Sequence, residues 1–274
     1  MKKIKFTKMS GAGNDFIVVE KTPGICHKKL ARTACDRTNG IGADGLLVLD
    51  KSKSCDHKMR IINADGTEAE MCGNGARCLA AYIVKNKKTK KKLFSVETKA
   101  GTIMGEANKE TAIVKLSDPK EYIPNIPLDL SGREIQVSYI DTGVPHVIVY
   151  VHSINHIDVR GIGRAIRSHK MFEPRGTNVN FVEQESENIV NARTYERGVE
   201  DETKACGTGS VASAIITYLK LNPDITDKKK ASMQVRTRSG EILKITFDIT
   251  KGTISNVWLK GSAKFIAEGE YFLK

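Results

Sequence analysis

Short β-branched and aliphatic runs recur along the chain: "FIVVE" at 16–20, "LLVLD" at 46–50, "MRII" at 59–62 and "VIVYV" at 147–151. Gly, Asn and Asp bound them, which predicts strands. Two other stretches carry a helical period. Ala76, Leu79, Ala80 and Ile83 fall at i, i+3, i+4 and i+7, and Val211, Ala214, Ile215 and Tyr218 repeat the spacing. Arg77 is the only charged residue of 76–84, and 211–219 has none. A helix apolar on every face has to be enclosed. The pattern therefore predicts an α+β fold built twice: a curved, mostly antiparallel sheet wrapped around one central helix.

The doubling is also visible as internal similarity. "GADGLLVL" (42–49) lines up with "GTNVNFVE" (176–183), and the same spacing of 134 residues separates Cys72 from Cys206. "GNDFIVV" (13–19) matches "GVPHVIV" (143–149), "VETKAG" (96–101) matches "VRTRSG" (235–240), and "VKL" (114–116) matches "VWL" (257–259). The spacings drift as loop insertions would make them, and the order never breaks. Two pseudo-symmetric domains follow, 1–120 carrying Cys72 and 121–261 carrying Cys206. "DPKEYIPNIPLD" (118–129), with three prolines, has the composition of a linker where they meet.

Each apolar helix begins at a cysteine, in "EMCGNGARC" (70–78) and "KACGTGSVASA" (204–214). At a helix N-terminus the first backbone N–H groups have no intrahelical acceptor and the macrodipole is positive. A cysteine placed there has a lowered pKa, and the amides can bind a carboxylate. If both helix starts meet one amino acid, one thiolate can remove the α-proton while the opposite thiol returns a proton to the other face. Such inversion by two bases needs no cofactor. Cys26, Cys35, Cys55 and Cys78 lack the repeated setting and read as small buried hydrophobes.

Composition narrows the alternatives. The 274 residues are 40% hydrophobic and 28% charged, the balance of a soluble globular protein with a full core. No apolar run reaches a membrane span, and the basic start has no apolar run behind it, so the expected compartment is the cytoplasm. The net charge of +12 owes much to "KNKKTKKK" (85–92), which has no interleaved aromatics and reads as a solvated loop rather than a nucleic-acid surface. No Cys-x-x-Cys pair supports zinc, and Cys55-Asp56-His57 alone is too little for a metal centre. "GIGADG" (40–45) has dinucleotide-like glycine spacing but precedes a strand instead of following one.

"GAGNDF", "NADGTEAEMCGNGARC", "GTNVNF" and "ERGVEDETKACGTGS", in this order from about residue 5 to the C-terminus, resemble the diaminopimelate epimerase family. The resemblance implies interconversion of LL- and meso-2,6-diaminopimelate by paired cysteines without pyridoxal phosphate, on the route to lysine and peptidoglycan precursors. It implies Cys72 and Cys206 as acid and base, and a carboxylate held on the amides of Gly73, Asn74, Gly207 and Thr208. Asn14, Asn63, Asn178, Glu196 and Arg197 would read the substrate's amino and carboxylate groups, with His146 beside the reaction centre. Without the family, His146 reads as a structural residue at a strand end and Glu196–Arg197 as a surface turn. The tail after about residue 262 would return to the first domain. No cofactor and no metal is implied. The implied partner is a small amino-acid substrate, with no nucleic acid or membrane; monomer and homodimer both stay open.

Two departures touch the substrate's far end: Val144 where many members have asparagine, and Gly45 where some have glutamine. A proline or hydroxyproline racemase would share the fold and the cysteines but resembles Met-Cys-Gly-His-Gly at the first site, where this chain has Asn74. A non-catalytic thiol-disulfide switch on the same fold is the alternative from another class, and would be functional when oxidised.

Overall fold

The structure, a computed structural model, describes residues 2–108, 110–130, 132–225 and 229–273. The chain divides into two compact units, Met1–Lys115 with Lys260–Lys274, and Leu116–Leu259. The helices are α1 (His27–Ala34) and α2 (Gly73–Lys85) in the first unit, and α3 (Val159–Arg167) and α4 (Gly207–Leu221) in the second.

In the first unit Lys3–Gly11 pairs antiparallel with Asn14–Glu20 and with the tail strand Lys264–Phe272. Asn14–Glu20 then lies parallel to Gly45–Asp50, which is antiparallel to His57–Asn63. Both faces of this sheet are covered, which explains why "LLVL" is apolar without alternation. Leu46 and Val48 pack towards Leu30, Ala31 and Ala34 of α1, whereas Leu47 lies against Gly75 of α2. Every residue of α2 from Gly73 to Ile83 is buried. Enclosing the large side chains of such a helix contributes roughly 1.5–3 kcal/mol each.

The second unit repeats the order. Arg133–Asp141 pairs antiparallel with Pro145–Tyr150, which is parallel to Asn178–Ser186, itself antiparallel to Ile189–Glu196. Val147, Val149, Val179 and Phe181 share a core with Val159 and Ile166 of α3. Helix α4 is buried from Gly209 to Tyr218. This is the sheet-around-helix architecture that the hydrophobic pattern predicts, present in each unit.

The proline-bearing stretch departs from its reading as a linker. Lys120–Leu130 is a strand paired with Arg133–Asp141, with Pro127 opposite Gln136 and two register shifts along the pair. Proline removes one ladder donor but has a backbone already suited to extended chain. Two cysteine expectations also fail. Cys35 and Cys78 are buried, but Cys26 is exposed at the start of α1 and Cys55 is half-buried beside Thr102. Neither belongs to the buried core, since Cys26 caps a helix end and Cys55 lies among the hydroxyls of Ser54 and Thr102. The lysine run is not a bare basic face: Lys85, Lys88, Lys91 and Lys92 pair with Glu268, Glu20, Asp56 and Glu106. Among the described residues, no helix is long and apolar enough to cross a membrane.

Candidate active site

Both cysteines occupy the N-cap position of their helices, in extended backbone (φ −147°, ψ 114° for Cys72; φ −111°, ψ 116° for Cys206). Each sulfur accepts a hydrogen bond from the third amide of its helix, Gly75 N to Cys72 Sγ at 3.4 Å and Gly209 N to Cys206 Sγ at 3.3 Å. The cysteine carbonyls accept the first helical bonds, from Ala76 and Ser210. Each thiol thus lies against the positive end of its helix, and the remaining first-turn amides, at Gly73 and Asn74 or Gly207 and Thr208, point the same way. Space at the third position is tight, and tighter in the second unit than in the first. A Cβ on Gly75 would come 3.0 Å from Leu47 Cδ2, and one on Gly209 would come 2.3 Å from Asn180 Oδ1.

Behind the first turn stands a polar chain. The buried Asn74 side chain donates to Asn14 Oδ1 at 2.6 Å and accepts from Arg77 Nη2 at 2.8 Å. Arg77, wholly buried, also donates to Gly73 O and Ser262 O. Asn14 Nδ2 donates to Asp44, which pairs with Arg37, and Arg37 and Lys8 both pair with Asp15. Burial works to raise the Asp15 carboxyl, but hydrogen bonds from Arg37 and Lys8 outweigh it and hold the group well below the usual carboxylate range. Cys72, Gly73, Asn74 and Asn14 therefore come together. Asn63 lies at the end of a neighbouring strand, opposite Gly45 in the ladder, with its side chain on Thr67 Oγ1 at 3.0 Å.

The second turn is backed differently. Asn178 donates through Nδ2 to Pro145 O at 2.9 Å and accepts the backbone N–H of Arg197 at 2.9 Å, so it ties the strand carrying His146 to the turn carrying Glu196 and Arg197. Arg197 donates through Nη1 to Arg175 O at 3.0 Å. Cys206 Sγ lies 3.5 Å from Thr208 Oγ1, and Thr142 Oγ1 donates to Thr208 O. Desolvation pushes the Glu196 carboxyl up. His146 is completely buried, and desolvation, reinforced by the charge of Arg197, pushes its imidazole down to about 3. Its ring is therefore neutral at physiological pH.

Three residues that the motif reading did not single out carry much of this order. Arg77 was visible only as the lone charge on an apolar helix. Asn180 and Thr194 sit opposite each other on neighbouring strands, and Thr194 Oγ1 donates to Asn180 Oδ1 at 2.9 Å. The repeat also shifts by one residue here. Gly75 and Gly209 keep the spacing of 134, yet they touch Leu47 and Asn180 respectively, so Leu47 and not Leu46 is the counterpart of Asn180.

The fold is that of a known class. Solved structures that match over nearly their whole length include a Bacillus anthracis phenazine biosynthesis protein of the PhzF family (TM-score 0.75, 18% identity, all of both chains). A probable proline racemase from Agrobacterium radiobacter also matches (TM-score 0.73, 13% identity, 99% of this chain and 93% of that one). At these identities the likeness concerns the fold alone. The sequence narrows the class further: the family model for diaminopimelate epimerase matches residues 6–121 and 138–266. Diaminopimelate epimerase from Aquifex aeolicus is 39% identical over 284 residues, covering 97% of each chain. The enzyme of that name from Methanocella arvoryzae is 43% identical over 290 residues, covering 98% of this chain and 97% of that one. The chain belongs to the diaminopimelate epimerase family.

Proposed function

We propose that the chain interconverts LL- and meso-2,6-diaminopimelate, with Cys72 and Cys206 serving opposite faces of one α-carbon. The observation that carries this reading is the paired N-cap geometry: two thiols, each bonded to the third amide of its own enclosed helix. The thiolate on one side removes the α-proton, and the electron pair left on carbon delocalises into the carboxylate. The thiol on the other side then delivers its proton. The product has the composition of the substrate, and the two cysteines have exchanged protonation states.

The helix termini serve this chemistry twice. They stabilise a thiolate, which brings the base towards the working pH, and they stabilise the charge that grows on the carboxylate. The carboxylate would rest on the amides of Gly73, Asn74, Gly207 and Thr208. Asn74 contributes through its backbone, since its side chain is committed to Asn14 and Arg77. Glu196 suits an ammonium, whose charge would offset the desolvation of its carboxyl. Arg197 suits a carboxylate because its guanidinium binds in a fork. Asn14, Asn63 and Asn178 would complete recognition of the amino and carboxylate groups. No step calls on a cofactor, and lysine and peptidoglycan-precursor synthesis in the cytoplasm is the setting this reaction fits.

The test is an assay of the purified protein on LL-diaminopimelate and on L-proline, in reductant and after mild oxidation. Epimerisation of the first substrate only, lost on oxidation, is expected. Turnover of proline would favour the racemase reading. Greater activity in the oxidised protein would point to a thiol switch and against paired bases.

A further inference from the structure

We propose that Asn180 is a positioning residue that fixes His146 in the neutral tautomer bearing its proton on Nε2, so that the imidazole offers a buried N–H to an anionic acceptor of the bound substrate. The inference rests on the functional reading above only in naming that acceptor; the tautomer follows from the hydrogen bonds alone. Asn180 Nδ2 lies 3.1 Å from Val147 O and 3.1 Å from His146 Nδ1. A backbone carbonyl can only accept, so the group facing Val147 O must be the amide NH2 and not the amide oxygen. The oxygen in turn takes the Thr194 hydroxyl at 2.9 Å, which is the complementary arrangement. One Nδ2 hydrogen goes to Val147 O, and the other goes to His146 Nδ1. That ring nitrogen is therefore an acceptor, and in a neutral ring the proton sits on Nε2.

Nε2 is the informative atom. It is buried, and among the described residues it has no hydrogen-bond partner. An N–H left without an acceptor in a buried place is costly, so such groups call for an acceptor from outside the fold. Desolvation and the nearby charge of Arg197 both disfavour the imidazolium, which would present a donor on either nitrogen.

The other unit shows that this polar trio is not required by the architecture. In the ladder Asn180 faces Thr194, and His146 pairs with Asn178. In the first unit Leu47 faces Ile61, and Phe16 pairs with Gly45. Leu47 touches Gly75 as Asn180 touches Gly209. The same position under the same helix start is thus filled by Phe16, Leu47 and Ile61 in one unit and by His146, Asn180 and Thr194 in the other. Apolar side chains suffice for packing there, so the buried polar set has a different purpose: to hold one ring in one protonation state.

The experiment is 1H–15N correlation of the imidazole nitrogens in uniformly 15N-labelled protein, with His146→Phe to assign the ring among the six histidines. Expected in the wild type is an imine-type Nδ1 and a pyrrole-type Nε2, unchanged between about pH 5 and pH 8, where an ordinary histidine titrates. Asn180→Asp presents only acceptors to the ring, and the proton should move to Nδ1. The turnover number should fall by about tenfold or more with a smaller change in KM, the size of loss seen when the partner that orients a histidine is removed. Should the aspartate variant not fold, Asn180→Leu with Thr194→Val imitates the first unit, and the ring signals should then average between tautomers. A wild-type ring protonated on Nδ1, or one titrating near 6.5, overturns the proposal, as does a tautomer indifferent to both variants. If the ring behaves as described but diaminopimelate is not turned over, the functional reading fails and the tautomer assignment stands.

Discussion

The two cysteine turns have the same backbone and different support. Each has an extended N-cap cysteine, a sulfur bonded to the third amide, and a glycine where space is tight. Behind Cys72 the support is charged: Asn74 is held between Asn14 and the buried guanidinium of Arg77, and Asn14 leads on to an exposed set of ion pairs. Behind Cys206 stand Asn180, Thr194 and a histidine kept uncharged by burial and by the nearby charge of Arg197. Duplication explains the shared backbone. The difference teaches that one backbone device, repeated, can be supported by unlike side chains.

The largest expected effect treats the turns alike. Cys72→Ser and Cys206→Ser should each lower the turnover number by roughly 10²–10⁴-fold, the usual contribution of a positioned acid or base. A loss confined to one of them would break the symmetry of the account.

Changes to the support should separate the turns. Arg77→Met removes the buried guanidinium that donates to Gly73 O, Asn74 Oδ1 and Ser262 O, at a cost of about 1–3 kcal/mol. Alkylation rates of the two cysteines against pH, measured by mass spectrometry, should then shift at Cys72 and stay in place at Cys206. The glycines offer a finer contrast. Gly209→Ala forces a methyl group into Asn180 Oδ1 and should cost about 1–3 kcal/mol, whereas Gly75→Ala meets only a flexible leucine end and should cost less. Thermal unfolding of both variants checks the order.

Acid should also distinguish the units. His146 has a folded pKa near 3 against about 6.5 when unfolded, so below 6.5 the unfolded chain binds the extra proton. Its contribution to stability is complete above that value and is lost progressively as the pH falls towards 3. Asp15 likewise has a depressed folded pKa, but its contribution persists to near pH 4 and is lost only below that. Denaturant midpoints of His146→Phe should therefore fall less steeply than wild type between about pH 6.5 and 4. The smallest effects are expected at the substrate's far end: Val144→Asn should change KM for diaminopimelate a few-fold at most, with the turnover number unaltered.

Some of this was legible in the sequence for a physical reason. A Cys-Gly-x-Gly start followed by an apolar helical period is a local signal, since cap, glycine and enclosed face all lie within a dozen residues. Arg77, Asn14 and Ser262 could not be grouped that way, because their contact is made by strands far apart in the chain. Asn180 was hidden by its surroundings: in "NVNFVE" a buried amide reads as a polar step in strand alternation, and only the ladder opposite Thr194 reveals its use. The prolines of 119–127 misled because composition reports missing donors and not the neighbouring strand that tolerates them.

Early turnover of LL-diaminopimelate in heavy water tests the paired-thiol claim most directly. With two bases, the first meso product should carry deuterium at the inverted α-carbon, while unreacted LL substrate stays protiated. Meso product that retains the original α-proton would mean that one group removes and returns it, and the account would be wrong.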